Sequence, residues 1–311
     1  MTPSPLVTAD SGRGAPRAFG AVRRPRRGLA ALTGVQGLRR GVQLATASLV
    51  AAVAADRWAA AASGPAVTSP ESLCPFGGLE TLVTFMTTGA FVPHVHAANL
   101  VLAVAVLLVA LVARGAFCGW FCPLGFLQDL AAGVGAAAQR RLPAAHRAMR
   151  SVRRRAARLA VLDRPLRLLK YGVLAWALWG AASFGVMVFR DVDPWAALLD
   201  IGVGGAGLGL VVLGVTLLGA LFVDRPWCRY ACPLGAANGL VARFSPLRLE
   251  RSAAVCVSCS RCTRSCPMGI DVATAGAVTS VDCTGCLECV EACPREGALE
   301  LHAGLPFGSR S

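Results

Sequence analysis

The segments CVSCSRCTRSCP, Cys256 to Pro267, and CTGCLECVEACP, Cys283 to Pro294, each read C-x2-C-x2-C-x3-C-P. No other feature of the chain leaves so few folds open. Three thiols at i, i+3 and i+6 can wrap one cubic cluster in a tight loop, while the fourth, turned away on the following helix, reaches a second cluster. The spacing therefore assigns Cys256, Cys259, Cys262 and Cys293 to one [4Fe-4S] cluster and Cys283, Cys286, Cys289 and Cys266 to its mate. A pair of zinc sites is the competing reading, but these use C-x2-C knuckles separated by a longer loop. Arg248 to Glu250 and Ala298 to His302 flank the motifs and are expected to pair as strands, which makes residues 248–303 a small α+β two-cluster, ferredoxin-like module. From Cys256 to His302 it carries three Arg against six Asp or Glu, a net of −3, so its surface is expected to be acidic.

The remaining sequence is of another kind. With 55% hydrophobic and 15% charged residues, the 311-residue chain is more apolar than an ordinary soluble domain. Four apolar segments, at about 41–62, 96–113, 168–189 and 201–223, approach the ~20 residues that a helix needs to cross a bilayer core. The fold class expected from them is a membrane α-helical protein with four transmembrane helices over 38–247, followed by the ferredoxin module. Residues 1–37, rich in Pro, Gly and Arg, read as a disordered basic tail, and 304–311 as a short second one. Arg39-Arg40 before an Ala-rich stretch also resembles an export signal, but the apolar run continues past any cut. The net charge of +14 comes from arginines beside apolar runs with no interleaved aromatics, a pattern that speaks against nucleic acid and for membrane orientation. Eight Lys or Arg in 1–40 and eleven in 114–167, against Arg57 alone in 56–98, place both termini on the cytoplasmic side of a bacterial inner membrane. The odd count of thirteen cysteines and their crowding favour metal ligation in a reducing compartment over disulfides.

A second duplication joins the two parts. FCGWFCPLG, Phe117 to Gly125, returns as WCRYACPLG, Trp227 to Gly235, each time where an apolar run stops. Cys118 and Cys122, like Cys228 and Cys232, stand one helical turn apart, with Pro123 or Pro233 breaking the helix after them. Brought together, the four could form a third metal centre or serve as redox thiols; the plain alternative is that small cysteines merely pack at helix ends. Cys74-Pro75-Phe76-Gly77 echoes the motif, but maps to the outer face, away from the other cysteines. His94, His96, Glu80, Asp191 and Asp193 are the polar groups near that face that could take protons from a quinol. The glycines of GVGGAGLG, Gly202 to Gly209, open an apolar span and so fit close helix packing better than a dinucleotide loop.

Over residues 40–302 the chain resembles the NapH-type membrane polyferredoxins, quinol-dehydrogenase subunits linked to periplasmic nitrate reduction, and is related to the nitrous-oxide reductase regulator type. The likeness rests on CPFGGLETL at 74–82, CGWFCPLG at 118–125, CRYACPLG at 228–235 and the two ferredoxin motifs. It implies electron transfer between the quinone pool and a redox partner through two [4Fe-4S] clusters. Two other roles fit the residues: a maturation reductase acting on another metalloenzyme through Cys118, Cys122, Cys228 and Cys232, and a redox sensor. The expected partners are the membrane, quinone or quinol, and another redox protein or metalloenzyme. Neither the direction of electron flow nor the terminal acceptor follows from the residues.

Overall fold

The computed structural model describes residues 34–63, 74–89, 97–143, 160–201 and 207–304. Most of the basic tail, His94, His96 and residues 202–206 of the glycine run lie outside them. Three longer helices open the chain: α1 (Val35–Ser63), α2 (Pro75–Thr88) and α3 (Ala97–Ala113). Cys74 is the N-cap of α2, with Pro75 in the first turn, where its missing N–H costs nothing, and Gly89 ends the helix in a left-handed conformation. After α3 the backbone turns at Arg114 (φ 57°) into a π-helical turn, Phe117–Phe121, and Pro123 starts α4 (Pro123–Arg141). Next come α5 (Ala160–Leu166), α6 (Leu169–Phe184), a 3-10 turn at Arg190–Val192, α7 (Pro194–Leu199), α8 (Gly207–Ala220), α9 (Pro226–Tyr230) and α10 (Pro233–Ala242).

The four expected transmembrane helices are overturned: no helix among the described residues is long and apolar enough to cross a membrane. The apolar runs are real, but the backbone breaks them early. α3 has 17 residues, α6 has 16 and α8 has 14; at 1.5 Å per residue even α3 spans only ~25 Å, short of a core of ~30 Å. Gly185, left-handed at φ 65°, stops α6 five residues before the expected end. The 29-residue α1 is long enough, but it carries charges that the protein itself satisfies: Arg39 pairs with Asp129 and Glu288, and Arg57 with Asp200.

α2 packs between α3 and α6, and α10 lies across the same pair. One apolar core, comprising Cys74, Phe76, Leu174, Ala177, Phe189, Ala236 and Ala237, holds them, with Trp195 and Trp227 against it. Cys74 therefore shares a core with the residues that follow the second CxxxCP motif, and does not stand on a separate face. The outward sides stay apolar: Val101, Leu108 and Val112 of α3, Trp179 and Phe184 of α6, and Val211, Val215 and Leu218 of α8 are exposed.

The C-terminal part is a three-stranded antiparallel sheet in the order β2-β1-β3, from β1 (Leu247–Arg251), β2 (Ala277–Val278) and β3 (Leu299–Ala303). β1 and β3 pair Leu249 with Leu301 and Glu250 with Glu300, joining the two ends of the module as its flanking residues led one to expect. Two short helices, α11 (Arg261–Ser265) and α12 (Glu288–Glu291), lie between the strands, and Leu249, Val272, Val278 and Leu299 form the core with Cys262 and Cys289.

Candidate metal centres

The two cysteine motifs build two cavities. One is lined by Cys256, Cys259, Cys262 and Cys293, together with Arg251 and Arg295. The other is lined by Cys266, Cys283, Cys286 and Cys289, together with apolar groups such as Leu249, Ile270 and Val278. Each cavity thus draws three cysteines from one motif and the fourth from the other. Among the described residues no three His, Cys, Asp or Glu side chains could hold a single metal ion, so these thiols surround volumes and do not converge on points.

The backbone around both cavities repeats. Ser258 (φ 51°) and Ser260 (φ 54°) in the first loop match Gly285 (φ 59°) and Leu287 (φ 56°), 27 residues on, in the second. Left-handed conformations at serine and leucine are strained, by ~1–2 kcal/mol each. They turn successive N–H groups toward a common centre, the nest geometry that suits an anionic cluster. Neighbouring N–H groups favour the thiolate forms there: that of Ser258 at Cys256, Thr263 at Cys262, Glu288 at Cys286 and Val290 at Cys289. The N–H of Ile270 lies 3.4 Å from the Cys266 sulfur. Burial raises the Cys262, Cys286 and Cys289 thiols, and pushes Cys266 up to about 12, so an apolar pocket keeps them protonated until a metal displaces the proton. Four sulfur donors in an enclosing, N–H-lined loop fit a [4Fe-4S] cluster.

Cys118, Cys122, Cys228 and Cys232 are likewise brought together, close enough for neighbouring thiolates to raise Cys122, Cys228 and Cys232. Cys122 and Cys232 adopt the same backbone geometry (φ −71°, ψ 112°) as N-caps, with Pro123 and Pro233 beginning the next helix; the prolines start helices here more than they break them. The amide of Gln128 donates to the Cys228 sulfur at 3.4 Å, and that of Asn238 to the Cys118 sulfur at 3.5 Å. Each repeat thus supplies, ten residues after its first cysteine, a donor to the first cysteine of the other. Burial raises all four thiols, Cys122 to about 12 and Cys228 to about 11, although the Arg225 guanidinium opposes this at Cys118, Cys122 and Cys228.

Backbone contact joins this thiol group to the inner cavity. A Cβ on Gly119 would sit 2.3 Å from the Thr284 carbonyl oxygen, and one on Gly115 would sit 2.6 Å from that of Cys283, so only glycine permits the approach. The indole N–H of Trp120 donates to the Gly285 carbonyl at 3.0 Å. Trp120→Phe is expected to cost about 1 kcal/mol of stability through that lost bond; an unchanged denaturation midpoint would show that the contact carries no weight. Arg225, fully buried, holds Asp129 with two hydrogen bonds of 2.9 and 2.8 Å and donates to the Cys118 carbonyl at 3.0 Å.

Sequence reasoning missed Gln128, Asn238, Arg225 and Asp129. The duplication, extended three residues past Gly125 and Gly235, would have paired Gln128 with Asn238; no comparable signal marked Arg225. Glu80 and Asp193 are buried near Cys74, apart from the two cysteine cavities, while Asp191 lies in the 3-10 turn.

The family described as "4Fe-4S binding domain" matches residues 95–141 and 206–252, one match over each CxxxCP motif, and "4Fe-4S dicluster domain" matches residues 248–294. The chain is 32% identical over 249 residues to the putative electron transport protein YccM of Escherichia coli K12, covering 77% of this chain and 65% of that one. It is 30% identical over 201 residues to the ferredoxin-type protein NapH of Haemophilus influenzae, covering 61% and 63%. Over 108 residues it is 38% identical to the methylamine utilization ferredoxin-type protein MauN of Paracoccus denitrificans, covering 34% and 37%. The chain thus spans just under two thirds of the length of the first two relatives. No solved structure matches.

Proposed function

The chain belongs to the NapH-type polyferredoxins, iron-sulfur electron-transfer proteins, and we propose that it carries electrons between the quinone pool and a redox partner through two [4Fe-4S] clusters. Cys256, Cys259, Cys262 and Cys293 hold one, and Cys266, Cys283, Cys286 and Cys289 the other. The single observation that carries this reading is the crossed composition of the two cavities, three cysteines from one motif and one from its twin. A bound cluster supplies one-electron transfer. The chain's own part is to supply N–H donors to sulfur, exclude water from the inner cavity and hold the two motifs in register through β1 and β3.

Cys118, Cys122, Cys228 and Cys232 form a third thiolate centre in this reading. Their environment opposes thiol exchange, because a reactive cysteine needs a lowered pKa and some exposure, and these four are raised. An iron-sulfur cluster, in which each sulfur meets a different iron, would offset that penalty by deprotonating them outright. The protein works at the cytoplasmic face of a bacterial inner membrane, and the apolar side chains exposed on α3, α6 and α8 support a lipid or membrane-protein neighbour there.

Anaerobic purification with iron and sulfide analysis tests the assignment. The expected content is about eight iron atoms per chain for two clusters, and more if the third centre is filled. Cys289→Ala is expected to remove about half of the eight, and Cys118→Ala with Cys228→Ala only the excess. Zinc in place of iron, or iron unchanged in Cys289→Ala, would overturn it. Inhibitor-sensitive reduction of the clusters by a quinol analogue, followed by EPR, tests the quinone link; no reduction would remove it.

A further inference from the structure

The charges of the ferredoxin module are not spent evenly. Three of its six acids turn inward: Asp282 pairs with Arg167 and Lys170, Glu288 with Arg39, and Glu291 accepts from the Gln36 backbone N–H, all on the helical part. Asp271 is held within the module by Thr263 and Thr274. Its arginines face the other way. Arg251 and Arg295 line the Cys256 cavity, Arg264 donates to the Cys259 carbonyl at 2.8 Å from an exposed position, and exposed Arg261 stands beside Cys262. Among the described residues none of the four lies within salt-bridge distance of a carboxylate. Exposed Val255 and Val257 lie among them; of the two exposed acids, Glu296 follows Arg295 and Glu300 stands on β3, 3.7 Å from His302. The sequence count of −3 therefore describes the module but not its outer face.

The two cavities differ in access to match. Thr284 and Cys286 of the inner one are buried, with their backbone against the π-helical turn, and Cys289 is buried in the module's own core, whereas only Cys262 is buried among the four cysteines of the outer one. We propose that the arginine-ringed mouth of the Cys256 cavity is the docking surface for an acidic redox protein, and that electrons pass between this chain and that partner there. This rests on the two-cluster reading. Charge complementarity selects the occupant: four unpaired cations around a small apolar centre attract an anionic face, speed encounter and repel a basic one.

The test uses the full iron-loaded chain, reduced anaerobically, with small outer-sphere oxidants in place of the unidentified partner. Hexacyanoferrate(III), an anion, takes one electron from the reduced outer cluster and becomes hexacyanoferrate(II); hexaammineruthenium(III), a cation, does the same and becomes ruthenium(II). The expected result is that the anion's rate falls roughly tenfold from low to high ionic strength. Arg261→Glu with Arg264→Glu should lower its low-salt rate by a similar factor and raise that of the cation. Arg140→Glu with Arg141→Glu, exposed on α4, changes the net charge equally but away from the mouth and should change little. Equal effects of the two double variants, or none from Arg261→Glu with Arg264→Glu, would overturn the proposal. Should the reversed variant lose its iron, Arg261→Ser with Arg264→Ser gives the same readout at reduced amplitude. Failure of the two-cluster reading would be seen separately, as a wild-type chain with no cluster absorption to bleach.

Discussion

Replacing Arg225 by leucine is expected to destabilise the protein by about 3–5 kcal/mol, the cost of stranding a buried charge whose partner has been removed. Arg225 is fully buried, and both oxygens of Asp129 accept from it. Asp129 in turn accepts from Arg39 at 2.7 Å, and Arg39 reaches Glu288 at 2.6 Å and the Gly119 carbonyl at 2.8 Å. A chain of alternating charge thus runs from the Cys118 carbonyl to the helix that bears Cys289. The pair's net worth is smaller than the cost of breaking it, so Arg225→Leu with Asp129→Leu should recover a large part of the loss. Arg225→Lys keeps the charge but not the planar fork and should fall between. The guanidinium also favours the charged forms of Cys118, Cys228 and Cys286, so its removal should lower the reduction potential of any centre those sulfurs hold. Chemical denaturation together with an EPR-monitored redox titration checks both halves. A double variant no more stable than Arg225→Leu, at an unshifted potential, would show that the network is ornamental.

How much of this could be read beforehand depended on whether a signal was local. The ferredoxin motifs are short-range rules: spacing sets which sulfurs can share a loop, and the flanking β1 and β3 follow from leucines that alternate with polar residues at the two ends, Leu247 and Leu249 in one, Leu299 and Leu301 in the other. Hydrophobicity was the weaker guide. The run at 168–189 contains Gly185, and a left-handed glycine ends a helix whatever the mean hydropathy around it. Arg57 in α1 looked like a flaw in a membrane span, but its partner Asp200 is 143 residues away, and no local pattern could show that the charge is satisfied. Buried polar groups such as Arg225, Gln128 and Asn238 were obscure for the same reason. Their meaning lies in long-range pairing. α2 is the opposite case: its start is local, since Cys74-Pro75 places an N-cap and a first-turn proline ahead of an apolar run.

Glu80 should make the protein less stable as pH rises. It is fully buried on α2 with both carboxyl oxygens lacking a hydrogen-bond partner, and burial, reinforced by the nearby Asp193 charge, raises it from an ordinary 4.5 to about 8. Asp193, buried beside Cys74, is itself pushed up to about 7 by desolvation, against the N–H groups of Trp195 and Ala196. Between pH 4.5 and 8 the folded chain therefore keeps the Glu80 proton that the unfolded chain has released. Stability then falls with pH across this window by up to ~1.4 kcal/mol per unit, on the order of a few kcal/mol in all. Below pH 4.5 both states are protonated and Glu80 exerts no pull in either direction. Glu80→Gln keeps the shape without the titration, so its denaturation midpoint should decline less between pH 5 and pH 8 and exceed that of the wild type at the upper end. Asp193 should leave a residual slope, which Asp193→Asn would reduce in turn. Parallel profiles for wild type and Glu80→Gln would mean that water or a counter-charge reaches the carboxyl in solution. A pair that instead titrates as described holds a proton close to Cys74, which shares its apolar core with Ala236 of the helix that Cys232 caps.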